Sequence, residues 1–205
     1  MNIRLENEED YLKVENLVRD SFWNIYRPGA YEHYIVHNLR IHPSFIKDLA
    51  YVIEKGGEII GHINYSKGQI DCGDTKSKEA VVLGPISIDK RYQNQGYGTK
   101  LIDYTLKLVK DLNIPYVFVI GDENYYSRFG FESASKYNIY LNGCDIEEEC
   151  PFFMIKIFNS DDISLKRGIF SNPDVFDVNE NDVDEFDKRF EFKEKLVLDT
   201  QLKEL

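Results

Sequence analysis

A glycine-containing turn between an apolar segment and an amphipathic segment constrains the fold of this chain more than any other feature. Residues 80–88 form an apolar run typical of a buried strand, and residues 98–112 place leucines at helical spacing. The turn between them reads Gln93-Asn94-Gln95-Gly96-Tyr97-Gly98, with Thr99 next. Two glycines let successive backbone N–H groups converge on one anion, and the helix that follows adds unpaired N–H groups and the positive end of its dipole. The turn therefore predicts a diphosphate-binding site built from backbone.

The charge of the chain limits the partners that we expect for it. Lys and Arg total 25 against 36 Asp and Glu, a net charge of −11, which argues against a nucleic-acid binder with a basic face. No apolar run approaches the ~20 residues of a membrane span, and residues 1–6 lack the apolar region of a signal peptide. We therefore expect a cytoplasmic protein that binds neither nucleic acid nor membrane. Cys72, Cys144 and Cys150 have no CxxC spacing and are expected to be ordinary thiols.

The order of the predicted elements is β-α-α-β-β-β-α-β-α-β, which indicates a mixed α/β (α+β) sheet. The predicted strands are residues 1–6, 49–54, 58–65, 80–88, 116–120 and 151–158. The first predicted helix begins at Asn7 or Glu8, and the other three cover residues 31–39, 98–112 and 124–129. In helix 98–112 the expected buried face is Leu101, Tyr104 or Thr105, Leu108 and Leu112. Residues 67–78 are polar and are expected to be a loop. Because Pro85 cannot donate a ladder hydrogen bond, we expect a bulge or bend near Gly84-Pro85.

Three kinds of phosphate-binding loop can be compared with this turn. A Walker A loop needs Gly-Lys-Ser/Thr after four spacer residues, and here Lys100 follows Thr99 with the wrong spacing. A dinucleotide-binding fingerprint needs a third Gly or Ala where this chain has Leu101. The pattern Q/R-x-x-G-x-G/A matches at every fixed position. In this turn the sequence resembles the GCN5-related N-acetyltransferase (GNAT) superfamily.

A second block of sequence strengthens that resemblance. Residues 126–131, Tyr-Ser-Arg-Phe-Gly-Phe, match the superfamily's Y-x-x-x-G-F element after its fifth strand. Residues 121–131 also resemble one bacterial subgroup, the YhbS-like predicted acetyltransferases. The resemblance covers roughly residues 1–158. We expect residues 159–205 to be an acidic C-terminal extension, packed on the core or at an interface of a homodimer.

The resemblance implies an acyl-CoA N-acyltransferase fold, in which a splayed central sheet is flanked by helices, and acetyl-CoA as co-substrate. In that fold the pantetheine arm lies in the gap between the fourth and fifth strands, and the diphosphate rests on the glycine-containing turn. The residues expected to bind acetyl-CoA are Ile86, Ser87, Ile88, Gln93, Asn94, Gln95, Gly96, Tyr97, Gly98, Thr99, Asn124 and Arg128.

Acetyl transfer to an amine acceptor needs a proton for the leaving thiolate and a group that removes the amine's proton. A phenol with a pKa of ~10 is protonated at neutral pH and can donate. The family position of the general acid is Tyr126, with Tyr125 as an alternative. Candidate bases are His62, Glu79 and Glu123, and a water relay is the other possibility.

Further residues leave alternatives open. His33 and His37 have metal-ligand spacing, but no third ligand is evident, and we predict no metal site. Trp23, Tyr26 and Tyr31 could line an acceptor pocket or belong to the core. The acidic chain favours a cationic amine as acceptor. The functional alternative is a non-catalytic acyl-CoA-binding or sensing module, which binds without turnover.

Overall fold

A computed structural model describes residues 1–73, 77–145, 150–159 and 167–201. The strands are β1 (Asn2–Leu5), β2 (Tyr51–Lys55), β3 (Glu58–Asp71), β4 (Lys78–Ile88), β5 (Tyr116–Ile120), β6 (Glu132–Ser133), β7 (Ile139–Leu141), β8 (Phe153–Ile157) and β9 (Gly168–Ser171). The helices are α1 (Tyr11–Phe22), α2 (Glu32–Leu39), α3 (Tyr97–Asp111), α4 (Glu123–Tyr126) and α5 (Glu180–Asp187). The mixed α/β sheet expected from the sequence is confirmed.

The central sheet has the order β1-β2-β3-β4-β5-β8-β6, and its centre is the parallel pair β4 and β5. That pairing covers Val81–Leu83 against Val117–Val119 and does not extend further. On the other side of β4, the register with β3 shifts opposite Gly84 and Pro85, so the predicted bulge is present. The two central strands therefore separate beyond Leu83, and a gap opens towards the carboxyl end of β4.

Helices cover both faces of the sheet, because each face presents apolar side chains. On one face α3 buries Leu101, Ile102, Leu106 and Val109 against β3, β4 and β5. On the other face α1 and α2 pack around Val14, Val18, Val36 and Val52. The buried face of α3 includes Thr105, as one alternative predicted. Tyr104 and Leu112 were wrongly placed on it, since both are more than a third exposed.

The expected loop over residues 67–78 is wrong over residues 67–71 and at Lys78, which are strand, whereas residues 74–76 lie outside the described residues. Strand β3 continues to Asp71, β4 begins at Lys78, and the two are paired from Ile70 with Lys78 to Gly61 with Ile88. The far end of β3 also pairs with β9, which belongs to the C-terminal extension. The far end of β3 is therefore hydrogen-bonded along both of its edges, to β4 and to β9. Its polar sequence lacks the hydrophobic alternation by which a strand is usually predicted.

The first helix pair is tied to β1 through buried ions. Arg40, after α2, lies 2.7 Å from Glu6 and 2.6 Å from Glu15, and all three side chains are almost completely buried. The His37 Nδ1 atom lies 2.9 Å from the same Glu15 carboxylate. Since a buried carboxylate is costly without a partner, this network fixes α1, α2 and β1 relative to one another.

From α5 onwards, the described part of the C-terminal extension lies on the α1–α2 pair of the same chain. Phe186 and Phe190 place their rings 5.5 and 5.3 Å from the ring of His33. Phe192 has no such packing and is 89% exposed. Within the described residues, every helix is too short or too polar to cross a membrane.

Candidate active site

The turn between β4 and α3 has the backbone geometry of an anion cradle. Asn94 and Gly96 adopt positive φ angles of 58° and 80°, a conformation that glycine reaches without strain and asparagine tolerates. The side chains of Gln93 and Gln95 fold back onto the carbonyls of Ile88 and Arg91, each at 2.9 Å. The turn is thus held by its own neighbours.

The first turn of α3 leaves backbone donors free for a ligand. No side chain of the described residues caps Gly96, and the first backbone bond into the helix runs from the Lys100 N–H to the Gly96 carbonyl at 3.1 Å. The N–H groups before Lys100 therefore have no partner within the helix. Such donors at a helix N-terminus are suited to a diphosphate.

Basic side chains next to the cradle add positive charge that the sequence did not reveal. Lys55, from the β2–β3 hairpin, has its ammonium 4.9 Å from the ring centre of Tyr92 and 5.3 Å from that of Tyr97. Lys100 lies 5.7 Å from the Tyr97 ring. Lys55 is 38 or more positions from the turn, and only the pairing of β2 with β3 brings it there.

The three strand residues expected along the pantetheine arm do not share one face. Ile86 and Ile88 pack towards the α3 side of the sheet, whereas Ser87 is buried on the opposite side, level with His62 of β3. What they share is the backbone edge of β4, which no longer pairs with β5 at this point. An extended ligand could use this edge as a strand would.

The two adjacent tyrosines of α4 point to different places. The hydroxyl of Tyr125 lies so close to Gly98 that a Cβ added there would be 2.8 Å from its oxygen. The same hydroxyl hydrogen-bonds with the side chain of Thr99 in the cradle. Tyr126 is only 8% exposed and packs against the backbone of Gly121, where an added Cβ would come within 2.5 Å of its ring. Burial raises the pKa of the Tyr126 phenol above its usual value, with smaller contributions from neighbouring phenols.

Asn124 and Arg128, also expected to contact the cofactor, have local partners. The Asn124 N–H and its side-chain amide both donate to the carboxylate of Asp122, at 3.0 and 3.2 Å. The Arg128 guanidinium lies 4.8 Å from the centre of the Tyr125 ring. Their placement beside Tyr125 brings both to the α4 side of the cradle, and their contact with a cofactor stays a prediction.

A buried polar stripe runs along the face of β3 that meets α1 and α2. His62, Asn64 and Ser66 alternate along the strand, and Ser87 lies across from His62 on β4. Six side-chain nitrogen and oxygen atoms of these four residues are buried and have no hydrogen-bond partner among the described residues. Burial, with the nearby charge of Arg40, lowers the pKa of His62 to about 3, so its imidazole is neutral.

The other candidate bases lie apart from this stripe. Glu79 is 64% exposed, and its carboxylate lies 3.2 Å from the Lys67 ammonium. It precedes Ile86 by seven strand positions, roughly 23 Å at ~3.3 Å per residue, so β4 does not bring it to Tyr126. Glu123 stands exposed in the first turn of α4. As base, all three stay predictions.

The corner between α1 and α2 approaches the gap from the other side. The Ser21 hydroxyl donates to the Ile88 carbonyl at 3.2 Å and fixes the end of α1 to the end of β4. Tyr26, in this corner, interacts electrostatically with Glu32, Asp122 and Tyr126. Burial raises the pKa of the Tyr26 phenol, and the carboxylates of Glu32 and Asp122 raise it further. Tyr26 in turn contributes to the raised pKa of Tyr126.

Glu32, which the sequence reasoning did not single out, begins α2 within this corner. Its carboxylate accepts the Tyr31 N–H at 3.0 Å. Burial raises the pKa of the Glu32 carboxyl. A helix-starting glutamate is common, so sequence alone gave no sign of it.

The histidine pair at metal-ligand spacing does not gather further ligands. His33 is completely buried against α5, and His37 is paired with Glu15. The described residues contain no cluster of three or more His, Cys, Asp or Glu side chains arranged to hold a metal ion. Cys72, Cys144 and Cys150 form no disulfide within the described residues.

Comparison with known proteins agrees with this architecture. A sequence model described as "Acetyltransferase (GNAT) family" matches residues 16–131. The chain is 28% identical over 139 residues to the uncharacterized N-acetyltransferase YhbS of Escherichia coli K12, which covers 68% of this chain and 78% of that protein.

Two solved structures share the fold. A crystal structure of YhbS from Escherichia coli in complex with CoA superposes with a TM-score of 0.72 at 24% identity, covering 86% of this chain and 92% of that one. A GNAT family acetyltransferase from Brucella melitensis in complex with acetyl-CoA gives a TM-score of 0.67 at 24% identity, covering 85% and 97%.

Proposed function

The chain belongs to the acetyltransferase (GNAT) family and is an N-acetyltransferase, and we propose that it transfers the acetyl group of acetyl-CoA to a primary amine, with Tyr126 as general acid. The observation that carries the proposal is the continuity of the donor site. An uncapped helix N-terminus stands at the mouth of a gap between two parallel strands. Tyr126 is buried in the corner that follows the second of them.

The donor side needs little besides backbone and a few cations. The N–H groups of residues 96–99 would hold the diphosphate, with Lys55 and Lys100 nearby. The free edge of β4 beyond Leu83 would pair with the pantetheine amides. That two structural neighbours were solved with CoA and acetyl-CoA supports this assignment.

In the proposed reaction the neutral amine attacks the thioester carbonyl and the C–S bond breaks. A backbone N–H near residues 86–88 would polarise the carbonyl. The Tyr126 hydroxyl would donate its proton to the leaving sulfur, giving free CoA thiol and the acetylated amine. A phenol is protonated at neutral pH, as a donor must be. Burial raises the pKa of Tyr126, which keeps the proton on the phenol but also makes it a weaker acid.

The amine's proton would leave on the other face of the sheet. The unpartnered polar atoms of His62, Asn64, Ser66 and Ser87 would hold ordered water that relays the proton, since buried polar atoms without partners commonly hold water. With a pKa of about 3, His62 would bond to this water and would not keep the proton at neutral pH. Glu32 and Asp122 carry acidic groups to the same mouth. These groups favour an acceptor that carries a second positive charge.

We also infer that the enzyme is cytoplasmic and that its extension, residues 159–205, serves as a cap on its own core. Phe186 and Phe190 are engaged inside one chain, which favours a cap over a dimer contact. A non-catalytic acyl-CoA sensor remains the alternative function. The presence of Tyr126 beside the gap favours catalysis.

The proposal is tested by acetyl-CoA binding and by release of CoA thiol. Thermal unfolding with acetyl-CoA at ~100 times its dissociation constant should show a stabilisation of about 2.7 kcal/mol. A panel of primary amines should then include at least one that releases thiol above the amine-free rate. Binding without release for any amine would favour the sensor, and no binding would reject the donor site.

A Tyr126→Phe variant separates the general acid from a packing role. Losing a positioned proton donor should lower kcat roughly 10²-fold or more while the KM for acetyl-CoA changes little. Tyr140→Phe, on β7, removes a hydroxyl far from the gap and serves as the matched control. Equal rates for both variants would assign Tyr126 to packing alone.

A further inference from the structure

The segment that follows α5 crosses the outer side of the first helix pair. Residues 188–201, here called the C-terminal strap, contain no helix or strand. The strap runs to the corner formed by residues 23–32, which joins α1 to α2. Because α1 is fixed to the end of β4 through Ser21, this corner has one side towards the gap and the other towards the strap.

Hydrogen bonds between strap and corner are specific and span most of the chain. The carbonyl of Glu194 accepts the indole N–H of Trp23 at 2.9 Å and the side-chain N–H of Asn24 at 3.0 Å. The Leu196 N–H donates to the Asn24 Oδ1 atom at 3.1 Å, and the Gln201 amide donates to the Asn24 carbonyl at 3.3 Å. Four bonds thus converge on two neighbouring residues.

Asn24 is also the residue on which the internal shape of the corner depends. It adopts a positive φ of 61°, and its Oδ1 atom accepts the Gly29 N–H at 2.8 Å while its own N–H donates to the Gly29 carbonyl at 2.8 Å. The strap therefore binds the one side chain that closes the loop from residue 24 to residue 29. If the strap is released, the loop keeps its two bonds between Asn24 and Gly29 and local contacts such as that of the Arg27 guanidinium, 4.1 Å from the centre of the Tyr31 ring.

One residue of the corner, Tyr26, is a neighbour of Tyr126, and Glu32 lies beside Tyr26. Tyr26 and Glu32 both lie between the strap-bound end and the start of α2, and Tyr26 is within electrostatic reach of Tyr126 and Asp122. The cradle, in contrast, is fixed by Gln93 and Gln95 through contacts of its own. A change in the strap should consequently reach the amine side and not the diphosphate side.

We propose that the C-terminal strap is a positioning element for the acceptor side, which holds the corner of residues 23–32 at the mouth of the gap and thereby sets the affinity for the amine but not for acetyl-CoA. This inference rests on the proposed function in one respect, namely that the amine binds at this corner. Its structural half, that the strap orders the corner and not the cradle, does not depend on any activity.

The test uses the full-length protein with two strap substitutions, Leu196→Pro and Gln201→Ala, which remove strap donors and leave every corner residue intact. Phe192→Ala, at an exposed strap position without packing, is the matched control. Amide hydrogen exchange is followed in peptides covering residues 23–32 and 93–99. Trp23 is the single tryptophan of the chain, so its fluorescence reports the same contact.

We expect amide exchange in residues 23–32 to become at least tenfold faster in the double variant, with Trp23 emission shifted to longer wavelength and more easily quenched. Exchange in residues 93–99 and the Kd for acetyl-CoA should stay within twofold. Unchanged exchange in the corner, or an equal increase in the cradle, would overturn the proposal.

The kinetic readout uses spermidine and tyramine as amine probes. With whichever is turned over, the amine KM should rise at least fivefold in the double variant at an unchanged KM for acetyl-CoA. Equal changes in both KM values would overturn a positioning role. If the wild type failed to bind acetyl-CoA, the proposed function would fail, whereas the exchange and fluorescence results would still decide whether the strap orders the corner.

Discussion

The cradle and the strap-bound corner lie on opposite sides of the same gap and are built in different ways. The cradle is stabilised by contacts four and five positions apart in the sequence, from Gln95 to Arg91 and from Gln93 to Ile88. The corner is stabilised by contacts such as that from Trp23 to Glu194, 171 positions apart. Local contacts need only a short stretch of the chain to be ordered, whereas distant ones depend on the whole fold. Substitutions in other parts of the molecule should therefore affect acetyl-CoA binding at the cradle less than they affect the structure of the corner.

The largest expected effect comes from the buried ion pair that attaches α5 to α1. Arg19 is 2% exposed and binds Asp187 through two bonds of 2.6 and 3.0 Å. Replacing it in Arg19→Met leaves a partly buried carboxylate without its partner, at a cost of about 3 kcal/mol or more. The midpoint of thermal unfolding should fall by roughly 6–12 °C.

Lys188→Met is the control for this substitution, because the Lys188–Glu185 pair is exposed on both sides. It should change the midpoint little. If the comparison is right, Arg19→Met still binds acetyl-CoA at a temperature where it is folded, with a Kd close to that of the wild type. A Kd that rises in step with the loss of stability would show that the cradle depends on the distant contacts after all.

Acid should weaken the same attachment through His33. Burial lowers its pKa to about 4, although Asp187 lies 3.1 Å away, because Arg19 already occupies that carboxylate. The unfolded chain takes up this proton near pH 6.5, so between pH 6.5 and about 4 the unfolded state binds more protons and stability falls as the pH falls. The full contribution is about 3 kcal/mol, at ~1.4 kcal/mol per pKa unit.

Urea unfolding of the wild type and of His33→Asn over this pH range measures that contribution. The variant should show a shallower loss of stability between pH 6.5 and 4, because one of the groups that resist protonation is gone. Parallel curves for the two proteins would mean that His33 does not contribute in this range.

On the donor side, Gly96→Val tests the local geometry. A β-branched residue is strained at a φ of 80°, so the turn should rearrange and the free N–H groups should lose their common direction. We expect a Kd for acetyl-CoA roughly 100-fold higher, about 2.8 kcal/mol. Gly143→Val imposes a similar strain at a remote turn, where φ is 87°, and should leave the Kd unchanged. Similar affinities for both variants would remove the cradle from the binding site.

The difference between the short-range contacts of the cradle and the long-range contacts of the corner also explains which features could be predicted from the sequence. The order of strands and helices as far as α4, the bulge at Gly84-Pro85 and the position of the glycine-containing turn follow from short-range patterns, and the structure confirms them. Strands β6, β7 and β9 and helix α5 were not predicted. Residues 69–71, which were mistaken for part of a loop, form a strand that pairs with β9, about 100 positions away. No local pattern records such a partner.

The same limit applies within the candidate site. Tyr126 and the cradle residues lie within recognisable motifs, and Tyr26 was named as a possible lining residue of the acceptor pocket. Lys55 and Glu32 carried no such signal and reach the site only through tertiary folding. Glu79 illustrates the opposite case, since its place before a strand suggested a catalytic carboxylate and β4 carries it away from Tyr126. Sequence patterns identified the strand on which a residue lies more reliably than the groups that it meets.

The smallest expected effect separates exposed from buried contacts within the C-terminal region. Lys193 of the strap forms an ion pair with Asp20 of α1, but both side chains are about a third or more exposed. Water and salt screen such a pair, so Lys193→Met should cost less than about 1 kcal/mol in the free energy of urea unfolding. Arg19 is next to Asp20 on α1, and the Arg19→Met substitution should lower the free energy of unfolding several times more. If the two substitutions cost the same, surface charge rather than buried hydrogen bonding would hold the extension on α1, and raising the salt concentration would then release the corner in the unsubstituted protein.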